Sequence, residues 1–203
     1  MASLFSIEPK LKKILDQEVI ELRNDLSKID EIFEGADQQD IDDIKSWLAK
    51  NEIKVILGYP HDATQLPCIS ITLGSFNNSG TVWGDVFSKQ IDSASLNSKS
   101  ETPKRGELQT NIYRFSVWSE LPQLTLSIFY ILHYILINTK GLLVSVGIRE
   151  SIMGGGDLEP APQYFPTFVY LRVLTLTALA ETVGPVFGSG VIKRKFSSMS
   201  ILE

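Results

Sequence analysis

The chain has 203 residues, of which 43% are hydrophobic and 21% are charged. This length suits a single domain, and the hydrophobic fraction supplies a core, which excludes a globally disordered chain. The formal net charge of −5 argues against a general nucleic-acid binder, because such a protein needs a basic face. One cysteine, Cys68, excludes an internal disulfide framework. With only two histidines beside it, the chain has too few soft ligands for a zinc site, so we expect no metal and no cofactor.

The N-terminal part is predicted to be helical and acidic, because residues 7–50 hold 12 of the 24 acidic residues. Apolar residues spaced alternately by four and three predict one long helix over residues 9–33, with Gly35 as its stop. A second helix is predicted over residues 37–50, with Asp37 as its cap. The apolar stripe of the long helix comprises Leu15, Val19, Leu22, Leu26, Ile29 and Phe33.

The remainder of the chain alternates between strands and one apolar helix. Alternating apolar and polar residues predict half-buried strands, and residues 122–139 predict a buried helix with Ser119 as a cap and Gly141 as a stop. These elements predict an α/β fold of the α+β type, with a central mixed or antiparallel sheet packed by helices. The predicted strands are residues 53–57, 68–73, 108–118, 142–149 and 168–180.

A long polar segment, residues 74–107, separates two of the predicted strands. Such a segment inside a domain tends to be functional. We expect a strand over residues 81–88 and a mobile loop over residues 93–105, which together form a protruding hairpin arm. The arm suits contact with another chain, so its candidate interface residues are Trp83, Asp85, Lys104 and Arg105.

The last segment, residues 184–203, is predicted to be an extension of the single domain formed by residues 1–183. It contains glycines and a basic triplet, Lys193, Arg194 and Lys195. The triplet is too short to indicate nucleic-acid binding. We expect it to be solvated or to contact an acidic patch on a partner, and we include it among the candidate interface residues.

The motifs that carry chemistry are sparse, and no catalytic residue is predicted. Residues 154–156 are three glycines. They do not match the dinucleotide-binding fingerprint, because that motif needs a further glycine at the start of a helix, so we expect a loop there. His61 and Asp62 are interpreted as a polar turn, because no nucleophile is identifiable near them. His133 lies inside the apolar helix and is interpreted as a satisfied core or interface residue. Cys68 lies on the more polar side of its strand, with no cation to activate it.

The order of the predicted elements resembles that of the tail-terminator and neck proteins of tailed bacteriophages. Three segments carry the resemblance: VILGYP at residues 55–60, LPCISI at residues 66–71 and YLRVLTLT at residues 170–177. The resemblance covers roughly residues 50–182. It lies in the order of the elements and the general character of their sequences, and not in an invariant motif. The N-terminal helices and the C-terminal extension depart from the minimal pattern of the family.

The resemblance implies a structural virion protein without catalytic residues. Members of the family form a ring, usually hexameric, that caps the tail tube, stops its polymerisation and contacts the head connector. The implied partners are further copies of this chain, the tail tube protein, the connector and, in contractile tails, the sheath protein. DNA would pass through the ring without specific binding, and no membrane is involved. The implied location is the neck of the virion, after assembly in the host cytoplasm.

Two alternatives stay open at this point. The chain is compatible with another head–tail connector of the neck, which differs from a terminator only in the protein that it binds. It is also compatible with a small cytoplasmic α/β enzyme or ligand-binding domain. In that case, the site would lie near residues 154–164 and His61.

Overall fold

The computed structural model describes residues 7–78, 104–145, 148–157, 159–160 and 169–185. Over these residues the chain folds into one six-stranded mixed sheet and five α-helices, with a short 3-10 turn at Ala63–Gln65. The predicted α+β class is therefore confirmed.

The N-terminal part forms three helices: α1 (Ile7–Asn24), α2 (Ser27–Ile32) and α3 (Gln38–Lys50). The prediction of one helix over residues 9–33 was wrong, because Asp25 interrupts it. The Asp25 carboxylate accepts hydrogen bonds from the backbone N–H of Ser27 at 3.2 Å and from its hydroxyl at 2.5 Å. Local side-chain bonds of this kind compete with continued helix. The apolar stripe nevertheless continues across the break, since Ile29 is fully buried.

The third helix, α3, begins and ends as predicted. Asp37 occupies its N-cap position with an extended backbone, but the Asp37 side chain makes no capping hydrogen bond. The carboxylate of Asp40 lies in the first turn, where the helix dipole favours a negative charge. Ile41 and Leu48 are the buried residues of the helix and join it to the core.

The sheet has the strand order β1-β2-β3-β6-β4, and the short β5 pairs with β6. The first pair, β1 and β2, is parallel, and the remaining pairs are antiparallel. The strands are β1 (Lys54–Leu57), β2 (Cys68–Asn78), β3 (Lys104–Ser119), β4 (Ile148–Gly155), β5 (Glu159–Pro160) and β6 (Tyr170–Pro185).

The strands on either side of the predicted arm, β2 and β3, pair antiparallel as far as Asn78 and Gln109. This pairing brings the two ends of the predicted arm side by side, whereas residues 81–88 and most of the predicted loop lie outside the described residues. The expectation that the loop reaches residue 105 was wrong. Lys104 and Arg105 belong to β3 and pair with Pro185 and Gly184 of β6.

The apolar helix α4 (Pro122–Asn138) is confirmed, but Gly141 does not end the helical segment. Thr139 caps α4, and its carbonyl then accepts the backbone N–H groups of Leu142 at 2.8 Å and Leu143 at 3.0 Å. A further helix, α5 (Lys140–Ser145), follows directly, with Leu143 buried against the core. The predicted strand over residues 142–149 was therefore wrong, and the strand β4 starts later. None of the helices in the described ranges is long and apolar enough to cross a membrane.

The helices cover one face of the sheet. Helix α1 contacts β1 and β2, whereas α4 contacts β3 and β6. The strand residues that point into this layer alternate along each strand, as the two-residue period predicted. They include Val55, Ile69, Ile71, Tyr113, Phe115, Val117, Leu174, Leu176 and Ala178.

The opposite face of the sheet is partly buried at one end. Cys68, Trp118 and Val169 form a second cluster there, and Ile56, Leu66 and Leu171 pack against it. The interpretation of residues 68–73 as a half-buried strand was therefore wrong for its first residues, where both faces are covered.

Candidate functional site

The seven candidate interface residues are only partly described by the structure. Lys104 and Arg105 lie at the start of β3, where their backbones pair with β6. The others, Trp83, Asp85, Lys193, Arg194 and Lys195, lie outside the described residues. The structure therefore gives the position of two of the seven residues.

The strands that lead to Lys104 and Arg105 form a long paired ribbon. β3 and β6 contain 16 residues each and pair from Ser119 opposite Tyr170 to Lys104 opposite Pro185. At about 3.3 Å per residue, such a strand spans roughly 50 Å. The 17 residues of α4, which packs on both strands, span only about 25 Å. The ribbon is therefore about twice as long as the helix that covers it.

A second surface feature is an apolar corner where α4 meets α5. Ile137, Leu142 and Val144 expose 43%, 47% and 60% of their surface within eight residues of sequence. Exposed apolar side chains favour a protein contact where they form one continuous patch. We call these three residues the apolar corner. The sequence could not identify it, because Leu142 and Val144 were assigned to a strand.

The pair His61 and Asp62 is a structural turn, as interpreted. The Asp62 carboxylate accepts hydrogen bonds from the hydroxyl and the backbone N–H of Thr64, the latter at 2.7 Å, and so caps the 3-10 turn. The hydrogen bond from the Thr64 hydroxyl is the main reason that the pKa of Asp62 is lowered. The backbone N–H of His61 donates to Gln65 Oε1 at 2.7 Å.

The thiol of Cys68 is fully buried at the base of the second cluster. Burial raises the pKa of Cys68 to about 12, so the thiol stays protonated at neutral pH. Beside it, the indole N–H of Trp118 donates to the hydroxyl of Ser70 at 2.9 Å across two strands. This end of the sheet is a structural cluster, because the Trp118 indole and the Ser70 hydroxyl bond to each other.

A groove of about 260 Å³ lies between α4 and the β4–β6 edge of the sheet. Arg172 of β6 is its cationic residue, and Asp157 follows the end of β4 at its margin. The structure therefore brings the three glycines of residues 154–156 together with His133, and not with His61 as the ligand-binding alternative expected. Its lining residues are Phe129, His133, Met153, Gly154, Gly155, Gly156, Asp157, Arg172 and Leu174.

The guanidinium of Arg172 is held by two kinds of contact. Its Nε donates to the carbonyl of Gly156 at 3.1 Å. Its central carbon lies over the ring of Phe129, 4.1 Å from the centroid, and 5.6 Å from the centroid of Tyr130. Both are cation–π distances. The contacts fix the direction of a side chain that is otherwise among the most mobile.

Two of the three glycines of the groove are closely packed, so a side chain at either position would require its neighbour to move. A Cβ at Gly155 would lie 3.2 Å from Cζ of Phe129, and a Cβ at Gly154 would lie 3.0 Å from the hydroxyl of Thr175. Gly154 and Gly155 belong to β4, where they pair with Thr175 and Leu174, so the expected loop was wrong for them. The absence of side chains there allows Phe129 to approach the strand closely.

Sequence reasoning missed Arg172 as a site residue. The signal that could have found it is its position two residues before Leu174 in an alternating strand, which places a charge on the face that the helices cover. The direction of Phe129 from α4 could not be read from a helix that is apolar nearly all round.

Among the described residues, no group of three His, Cys, Asp or Glu side chains is arranged to hold a metal ion. No protein-family model matches this chain, and no curated protein matches it.

Proposed function

We propose that this chain is a ring-forming structural protein of the neck of a tailed bacteriophage, and specifically a tail terminator. The observation that carries the proposal is the β3–β6 ribbon, which is about twice as long as the helix that covers it. A paired ribbon of this length suits contact with neighbouring subunits, because within the described residues no strand lies beside β3 before Gln109 or beside β6 after Ala180, and such edges can add a strand from a partner.

The apolar corner supplies a second surface for assembly. A ring of identical subunits needs two different contact surfaces on each subunit, since each copy meets its neighbours head to tail. The ribbon and the apolar corner are two such surfaces on one chain. The extension after Pro185 and the arm between β2 and β3 would add to these contacts.

The proposed mechanism is capping without catalysis. The ring binds the last layer of the tail tube, covers the surface on which further tube subunits would add, and presents a different surface to the head connector. In a contractile tail, the sheath protein would contact the same ring. DNA would pass through the pore without being held, which is compatible with a net charge of −5. The protein would act in the virion, at the top of the tail.

Electron microscopy of the purified protein with interface variants tests the proposal. The variant Val144→Glu places a charge in the apolar corner, whereas Ser46→Glu places the same charge on the exposed face of α3. We expect rings with the wild type and with Ser46→Glu, and few or none with Val144→Glu. Circular dichroism should be the same for all three proteins, because Val144 is 60% exposed.

Tube capping is the functional readout. Tail tube protein of the same particle, polymerised with the wild-type ring, should give shorter tubes with the ring at one end. Val144→Glu should leave tube length unchanged. Rings that bind the connector but never a tube would assign the chain to the adjacent neck position. Wild-type protein that forms no ring and caps no tube would contradict the proposal.

A further inference from the structure

The groove beside α4 contains a cation that is fixed in place and has hydrogen-bond donors without an acceptor among the described residues. The Nε of Arg172 is engaged by the Gly156 carbonyl, and Phe129 lies under the guanidinium. Within the part of the chain that the structure describes, no acceptor pairs with the two terminal nitrogens of Arg172. We propose that this groove binds a carboxylate group through those two nitrogens.

The geometry of a guanidinium with an occupied Nε selects the ligand. The two terminal nitrogens form a planar fork, which matches the two oxygens of a carboxylate in a bidentate pair. The cation–π contact with Phe129 and the bond to Gly156 hold the fork before any ligand arrives. Binding therefore loses less side-chain entropy than it would with a freely rotating arginine.

The charge balance of the groove favours a carboxylate over a phosphate. Arg172 is the one permanent cation among the lining residues that the structure describes, and Asp157 adds a negative charge at the margin. Arg172 neutralises a singly charged carboxylate, whereas a doubly charged phosphate would keep one negative charge without a partner beside Asp157. Asp157 therefore weakens binding of the proposed ligand, and a substitution of Asp157 tests the site independently of Arg172.

The size of the groove limits what carries the carboxylate. Its volume of about 260 Å³ lies below the usual range for drug-sized ligands. Met153 and Leu174 give it apolar walls suited to a short carbon chain. Two sources share this chemistry: a free small carboxylate, and an acidic side chain on a docked protein segment. The proposal does not depend on ring formation.

Nuclear magnetic resonance of the labelled full-length protein tests the site. Sodium acetate is titrated against sodium chloride at equal ionic strength, while the Nε–H signal of Arg172 and the amide signals of Gly155 and Gly156 are followed. We expect saturable shifts with acetate and not with chloride. Arg172→Gln should weaken acetate binding by roughly tenfold or more, and Arg172→Lys should weaken it too, because lysine keeps the charge but lacks the fork.

The variant Asp157→Asn keeps Arg172 and removes the opposing charge, so it should tighten acetate binding about two- to fivefold.

A doubly blocked peptide with one glutamate, compared with acetate, separates the two sources. Affinity roughly tenfold above that of acetate assigns the site to a protein segment, and equal affinity assigns it to a free carboxylate. The proposal is overturned by any of three results: no saturable shift in the wild type, equal binding by Arg172→Gln, or tighter binding of inorganic phosphate than of acetate.

Discussion

At the scale of single residues, the chain uses several chemically capable groups for structure. Asp62 caps a turn, and Cys68 lies under Trp118 in the second cluster. The Trp118 indole and the Ser70 hydroxyl satisfy each other across β2 and β3. Arg172 differs from these residues, because its contacts orient the guanidinium and leave donors for a ligand. Each structural assignment predicts a consequence for stability or reactivity.

The burial of Cys68 predicts a loss of stability at alkaline pH. Burial raises the thiol pKa from its ordinary value of 9.0 to about 12 in the folded state. The thiol therefore ionises first in the unfolded chain, so its contribution is complete below pH 9.0 and is lost as pH rises towards 12. The free energy of unfolding should fall by up to about 1.4 kcal/mol per pH unit in that window.

Urea denaturation of the wild type and of Cys68→Ala at several pH values measures this effect. Tyr113, whose pKa burial raises from 10.0 to about 12, adds its own loss at higher pH. The comparison is therefore clearest between pH 9 and 10, where the wild type should slope downwards more steeply than Cys68→Ala, because Tyr113 contributes equally to both proteins. Equal slopes in the two proteins, or rapid alkylation of native Cys68 at neutral pH, would show that the thiol is accessible.

The close approach of Phe129 to β4 predicts different effects of alanine at two neighbouring glycines. A Cβ at Gly155 would lie 3.2 Å from the Phe129 ring, whereas a Cβ at Gly156 would lie 3.7 Å from the nearest atom, the Val173 carbonyl. Gly155→Ala should destabilise the fold by about 1–2 kcal/mol through overpacking. Gly156→Ala should change stability by less than about 0.5 kcal/mol. Thermal unfolding that ranks the two variants in the opposite order would contradict this packing.

At the scale of elements, the sequence predicted the period of each segment better than its ends. The alternation in β2, β3 and β6 and the stripe of α1 were readable, because one face of each element is buried. The break at Asp25 depends on a local hydrogen bond with Ser27 that competes with the helix. The helix α5 was missed because Leu142 to Ser145 is too short for a helical period to be distinguished from an alternating one.

The helical assignment of residues 140–145 predicts a stabilising substitution. Gly141 lies inside α5, and a Cβ there would meet no atom within 4 Å. Gly141→Ala should therefore stabilise the protein by about 0.5–1 kcal/mol, because alanine favours helix over the unfolded chain.

The matched control is Gly58, which ends β1 with a φ of +86° and has equally open space around it. Gly58→Ala should destabilise by about 1–2 kcal/mol, since this region of backbone conformation disfavours a side chain. Chemical denaturation of both variants measures the difference. A destabilised Gly141→Ala would argue that residues 140–145 are not helical.

At the scale of the whole molecule, the order of elements predicted an α+β fold but not the surfaces available for assembly. The angle between α4 and α5 decides which side chains stay exposed at the apolar corner. The periodicity of the sequence does not encode that angle. The length of the β3–β6 ribbon was also underestimated, because the polar residues at the start of β3 resemble a loop until β6 is found beside them.

The proposed arm is tested by replacing residues 81–101 with a short glycine–serine linker, which keeps β2 and β3 intact. We expect thermal unfolding of the subunit to change little, because the core that the described residues form is built from the helices and the sheet. Assembly should require a roughly tenfold higher protein concentration if the arm contacts a neighbour. An unchanged assembly curve would remove the arm from the interface and leave the ribbon and the apolar corner.

The mass of the purified full-length protein in solution tests the central claim most directly. Light scattering coupled to size exclusion, over a wide range of concentrations, should show a closed assembly at a fixed multiple of the 22.6 kDa protomer, six being expected for a ring of this family. The assembly should give way to monomer on dilution and in Val144→Glu. A mass of 22.6 kDa at every concentration, with and without tail tube protein, would contradict the account.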